Sequence, residues 1–256
     1  MRTLIAFIKK EVIEQVRTGK LIILGILFVI FGIMNPAIAM LTPWLLETFA
    51  DSMQSSGLVI TATTVTALDS WMQFYKNVPM LLIAFVLFES SLFTKEYESG
   101  TLILSLTKGL KRYKVIASKA LVLIVLWTVG YWMYFGITYG YNAYYWDNSV
   151  ANNLMFSVVC WWIFGLWVIS LMILFSVIAN SNAGVLVGTG GVVLGAYMVS
   201  MVPKIAEYLP TMLAGSGSLI YGDLKAETYF AAMVIAMVTG IICVVISIPI
   251  FNKKHL

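Results

Sequence analysis

The chain has 256 residues, 61% of them hydrophobic and 11% charged, with a formal net charge of +4. A soluble domain of this length could not hide so much apolar surface, so the composition excludes a soluble protein and points to an integral membrane protein. Cys160 and Cys243 sit in apolar segments at different depths and read as small hydrophobes, not as a disulfide or a metal pair.

The first 20 residues carry Arg2, Lys9, Lys10, Arg17 and Lys20. Ala37-Ile38-Ala39 looks like a signal-peptide cleavage site, but the leader is too long and too acidic, with Glu11 and Glu14, for a short basic n-region. Leu4, Ile5, Ile8, Val12 and Val16 recur at helical spacing with charges between them. This predicts an amphipathic helix on the inner membrane surface, which also serves as a basic topology anchor.

A spanning helix needs about 20 mainly apolar residues. Six segments meet that length: 21–41, 71–93, 115–139, 154–179, 184–202 and 229–251. The runs are continuous and lack the alternation of barrel strands, so the predicted fold is all-α, one transmembrane domain over residues 1–256. Lys76, Pro79 and Glu89 interrupt the second span. The loop before it is acidic and rich in Ser and Thr, with Glu47, Asp51 and Asp69. Between the second and third spans lies the one long charged block, Glu96 to Lys119. The fourth loop, 180–183, is a tight turn. The fifth, 203–228, contains Pro203, Pro210, Gly215, Gly217 and Gly222 beside Ile205, Leu209, Met212 and Leu213. Its apolar residues predict external re-entrant or interfacial helices sheltered by protein.

Lys and Arg set the orientation. The leader, the block from Lys95 to Lys119 and the tail residues Lys253 and Lys254 hold 13 of the 16 basic residues; only Lys76, Lys204 and Lys225 fall on the other side. Six spans with both termini in the cytoplasm fit this distribution, in a multi-pass protein of the cell membrane.

Chemistry is mostly excluded. No Gly-x-x-x-x-Gly-Lys-Ser/Thr run exists, so this chain has no P-loop for ATP. Gly188-Thr189-Gly190-Gly191 lies in an apolar span without lysine; Gly184/Gly188 and Gly191/Gly195 have small-xxx-small spacing for close helix packing. The single histidine, His255, is in the tail, which leaves no membrane-embedded base for a serine protease. No Cys/His cluster has metal-ligand spacing, and nothing points to nucleic acid. Glu89 has two readings: a proton or substrate site, or a carboxylate paired with Lys95 or Lys119 near the inner surface. Tyr131, Trp132, Tyr134, Phe135, Trp161 and Trp162 belong to a concentration of aromatics that reads either as an interfacial belt or as the lining of a path for an amphipathic substrate.

The run Glu96-x-Glu98-x-Gly100-Thr101-Leu102, followed by Leu106, Arg112 and Lys119, resembles the signature of ABC-2 type transporter permeases, as do the six spans, the amphipathic leader and Pro210 before the last span. Gly109 stands where members of that family often have proline. The resemblance implies a cytoplasmic coupling helix around residues 100–106, including Ile103, docked in a groove of a separate ATPase. Leu102 and Leu106 are four apart and share a face. It further implies two P-loop ATPase subunits that bind ATP and Mg, a second permease chain in a homo- or heterodimer, and no ATP hydrolysis or cofactor in this chain. ATP-driven export of an amphipathic or hydrophobic molecule, such as a hydrophobic peptide, is the resulting expectation. A secondary transporter, which would show broken or charged helices at mid-membrane, and a non-transporting scaffold or immunity subunit are the alternatives.

Overall fold

The computed structural model describes residues 2–48, 65–98, 100–101, 107, 111–222 and 224–254. It is helical throughout, with no strand among the described residues. The helices are α1 (Arg2–Arg17), α2 (Lys20–Thr48), α3 (Ala67–Glu89), α4 (Ser91–Glu98), α5 (Arg112–Tyr145), α6 (Leu154–Ile178), α7 (Asn182–Val199), α8 (Pro203–Ala206) and α9 (Phe230–Lys253). Short 3-10 helices occupy Asn148–Val150, Pro210–Tyr221 and Ala226–Tyr229.

Six helices are long and apolar enough to cross a membrane. The second extends well beyond the predicted 71–93, from Ala67 through α4 to Tyr97. At its start the Asp69 carboxylate accepts the Thr66 backbone N–H at 2.8 Å, holding a donor that the first turn leaves orphaned. The third runs from Arg112 to Tyr145. At 1.5 Å per residue it is about 51 Å long, well beyond a hydrocarbon core of ~30 Å. The helix therefore extends beyond the hydrocarbon core.

Helix α6 lies at the centre. Of its apolar stretch 72% is buried, against 11% for α7 and 17% for the last span. It packs against α9, α7, α5 and the Pro210–Tyr221 helix. The other main packing unit joins α2, α3 and α5, with α1 laid across the start of α5. Small residues permit the close contacts. A Cβ on Gly165 would sit 2.3 Å from the Trp127 ring, and one on Gly188 would sit 2.3 Å from Phe175. Gly184 is similarly close to Ala179, whereas nothing lies within 4 Å of a Cβ on Gly191 or Gly195. Of these four glycines, only Gly188 meets a neighbouring helix of this chain; Gly184 lies against the turn before α7.

The segment before the last span is folded as short helices, and its apolar residues serve a packing purpose. Leu213, Leu219 and Ile220 are buried. Ser157 donates to the Ser216 carbonyl at 2.6 Å, and Ser216 returns a bond to the Ser157 carbonyl at 3.0 Å. Gly222 ends the segment at φ +82°, a conformation that glycine adopts without strain.

Candidate functional site

Five charged side chains meet at the basic end of the bundle. Lys119, on the second turn of α5, is fully buried. Its ammonium lies 2.9 Å from Glu11 Oε2 and 3.0 Å from Glu96 Oε2, and donates to the Leu92 carbonyl at 3.1 Å. Two of these contacts, to Glu11 and to the Leu92 carbonyl, are hydrogen bonds, and the third, to Glu96, is an ion pair. Lys10 pairs with Glu96, with Glu11 at 3.1 Å and with Glu14 at 3.1 Å. The rings of Phe7 and Phe93 flank the cluster, with Lys119 at 6.0 and 5.2 Å from their centroids. Burial pulls the Lys10 ammonium down, but its contacts with Glu96 and Glu11 outweigh this and raise it above the ordinary lysine value. Burial pushes Glu14 up, and Lys10 more than reverses that.

The cluster explains how α1 is seated. Its protein-facing stripe is Phe7, Glu11 and Gln15, spaced four apart and all buried. Ile5, Val12, Ile13 and Val16 face away from the protein. The helix is amphipathic as predicted, but its buried stripe carries Glu11 and Gln15 beside Phe7, while apolar side chains and the charged Lys9 and Arg17 are exposed. Beside the cluster, Gln15 donates to Glu89 Oε2 at 2.5 Å, and Lys20 donates to the Phe88 carbonyl at 2.6 Å and to Ser91 at 3.0 Å. Lys20 thereby satisfies a carbonyl at the end of α3.

The structure redistributes the sequence-predicted partners. Lys119 forms its salt bridges with Glu11 and Glu96, not with Glu89; Glu89 takes the neutral amide of Gln15 instead. The reason is geometric: α1 inserts its polar stripe between the end of the second span and the start of the third. Glu11, Glu14 and Glu96 are close enough together to hold a cation. Lys10 and Lys119 already lie against these carboxylates.

Arg112 opens α5 and turns away from the acidic cluster. One guanidinium nitrogen faces the carbonyls of Phe251, Asn252 and Lys254 at 2.6, 3.1 and 2.9 Å. Gly100 closes α4 in the left-handed region, at φ +65°, with its N–H on the Tyr97 carbonyl at 3.3 Å. Thr101 is exposed. The coupling helix predicted for residues 100–106 falls mainly on Leu102, Ile103 and Leu106, which lie outside the described residues, as does the side chain of Glu98.

The aromatic residues are interior packing. Tyr131, Tyr134, Phe135 and Trp161 are buried, and Trp132 and Trp162 partly so. Tyr134 stacks on Phe74 at 4.4 Å and donates to the Phe74 carbonyl at 2.9 Å. Tyr131 stacks on Trp127 at 5.4 Å and donates to the Val158 carbonyl at 2.8 Å. Trp161 and Phe135 also border two open hollows, the first with Phe164, Leu186 and Tyr197 and the second with Tyr139, Ala143 and Trp146. A polar ladder that sequence reasoning missed adjoins these aromatics. Asn77 donates to Asn35 at 2.8 Å, and Asn35 donates to Tyr134 at 3.0 Å and to Thr138 at 2.9 Å. It joins α2, α3 and α5 across the apolar interior. Asn35 and Asn77 were visible as amides inside membrane-length segments, the signal that could have found them.

Charged side chains thus organise one end of a six-span bundle, around the flanks of the block between spans two and three. No curated protein matches the chain. The family model described as ABC-2 family transporter protein matches residues 5–255, nearly the whole length, and the chain belongs to that family.

Proposed function

We propose that this membrane permease is the transmembrane subunit of an ATP-driven exporter, coupled through residues 98–111 to a separate P-loop ATPase. The observation that carries the reading is the cluster of Lys119, Glu11, Glu96 and Lys10. It joins α1, α4 and α5 at the point where the chain leaves the bundle for that segment. A loop that only connected two spans would need no such anchor. A segment that receives a push from a partner needs one, because an unanchored flank would absorb the displacement. The basic end then faces the cytoplasm, two permease chains and two ATPases form the transporter, and ATP and Mg bind in the partner. The substrate is an amphipathic or hydrophobic molecule, with a hydrophobic peptide as the leading candidate.

The test is co-purification with a P-loop ATPase from native membranes, followed by vanadate-sensitive ATP hydrolysis in the reconstituted complex. Leu102→Asp combined with Leu106→Asp places charge on the proposed contact without altering a span. The variant is expected to insert normally and to lose both the ATPase and the hydrolysis. A wild-type chain that never associates with an ATPase, or a double variant that keeps its partner and its hydrolysis rate, refutes the reading.

A further inference from the structure

Both flanks of the 98–111 segment meet the end of α9, and Lys254 touches both. On the far flank, Arg112 faces three carbonyls at the end of α9 and lies 5.6 Å from the centroid of the buried Phe251 ring. On the near flank, the Lys254 ammonium sits 4.2 Å from the centroid of Tyr97, one residue before α4 ends. The same ammonium donates to the carbonyls of Val177 and Ala179, at 2.8 and 3.0 Å. Those are carbonyls at the end of α6, which an α-helix leaves without intrahelical partners.

We infer that residues 251–254 are a clamp that sets the spacing of the two flanks of the 98–111 segment and carries its displacement into spans four and six. Lys254 is the positioning residue. It touches the near flank through Tyr97 and α6 through two hydrogen bonds, while its own carbonyl is held by Arg112 on the far flank. It thereby ties the last turn of α6, the most buried span, to the end of α9. Transmission through the clamp rests on the exporter reading; the clamp as a structural device does not.

Two measurements separate these. Hydrogen exchange of the purified permease in lipid nanodiscs follows the end of α4, the first turn of α5 and the last turn of α6. Lys254→Met removes one cation–π contact and two hydrogen bonds, and exchange at all three sites should rise about tenfold or more. Lys254→Arg keeps the charge, the ring contact and the donors, and should stay near wild type. Unchanged exchange in Lys254→Met, or an equal rise in Lys254→Arg, overturns the clamp. The second measurement is ATP turnover of the reconstituted complex with its ATPase. Lys254→Met should still bind the ATPase yet lose most of the change in turnover that the wild-type permease imposes, with Lys254→Arg restoring it. Faster exchange with unaltered turnover overturns transmission through the clamp. If the wild-type permease binds no ATPase, the exporter reading fails instead, and exchange alone decides the clamp.

Discussion

Lys119→Met tests whether the charge cluster is a structural unit. The substitution keeps a long apolar stem and removes the ammonium. Glu11, itself fully buried, then loses its contact at 2.9 Å, and Glu96 loses one at 3.0 Å. Lys10 remains as the only cation against Glu11, Glu14 and Glu96 among the five residues of the cluster. The formal charge of the cluster moves from −1 to −2 in a site with little water. Breaking a buried pair by removing one partner costs roughly 3–5 kcal/mol, chiefly because the other charge is stranded. The lower end applies here, since the cluster lies near the basic end of the bundle and not at mid-membrane. We expect a loss of about 3 kcal/mol in reversible unfolding in mixed micelles, followed by tryptophan fluorescence.

The double-mutant cycle makes the argument sharper. Glu11→Gln combined with Lys119→Met returns the cluster to a charge of −1. The double variant should therefore be more stable than the sum of the singles, with a coupling of about 1–3 kcal/mol. If the two changes add to within about 0.5 kcal/mol, Lys119 and Glu11 do not interact as their geometry implies. The account of how α1 is anchored would then be wrong.

In intact cells, a cysteine at Ser149 should react with an impermeant thiol reagent from outside and one at Ser105 should not; outside labelling at Ser105 would reverse the topology. Gly165→Ala places a methyl 2.3 Å from the Trp127 ring and should cost about 1–3 kcal/mol in the same unfolding assay, whereas Gly191→Ala meets nothing within 4 Å and should be neutral or slightly stabilising. Glu14, lowered from 4.5 by Lys10 against the effect of burial, contributes stability above that value and loses it as pH falls through its lower folded value. Lys10, raised above the usual lysine value, contributes below that value and loses its contribution as pH rises through the folded one. The pair's contribution to thermal stability should therefore be fully present and independent of pH between about pH 5 and pH 10, and Glu14→Gln should reduce the acid-side decline; an unchanged acid limb in that variant would count against the assignment.

The spans were legible because lipid demands a continuous apolar run, and 21–41 or 154–179 can hardly be read otherwise. Their ends were less so. The third span's helix reaches Tyr145, past the predicted 139, because Tyr and Asn after residue 139 lower hydropathy without breaking a helix. The charged block was found by its motif, but its partners were not. Lys10 meets Glu96 across 86 positions, Lys119 meets Glu11 across 108 and Arg112 meets Phe251 across 139. No local pattern encodes such separations. The leader held a usable clue: Phe7, Glu11 and Gln15 share one helical face, and a carboxylate aligned with an aromatic marks a face that something must satisfy. Counting apolar residues instead picked Ile5, Val12 and Val16, the side that turns away from the protein.

That orientation bears on how a push on residues 98–111 would spread. If α1 lies on the membrane surface as its exposed Ile5, Val12, Ile13 and Val16 suggest, lifting it off would return them to water, each worth up to roughly 1.5–3 kcal/mol if fully buried there. Pulling α1 away from α4 and α5 would part Glu11 from Lys119 and Lys10 from Glu96, and breaking such buried pairs costs about 3–5 kcal/mol. Both movements oppose separation, one on each side of the helix. Sliding α1 along the membrane plane, together with α4 and the start of α5, breaks neither set of contacts. Such a movement keeps α1, α4 and the start of α5 together and loads the contacts that tie them to the rest of the bundle, Gln15 to Glu89 in α3 and Arg112 and Lys254 at the end of α9.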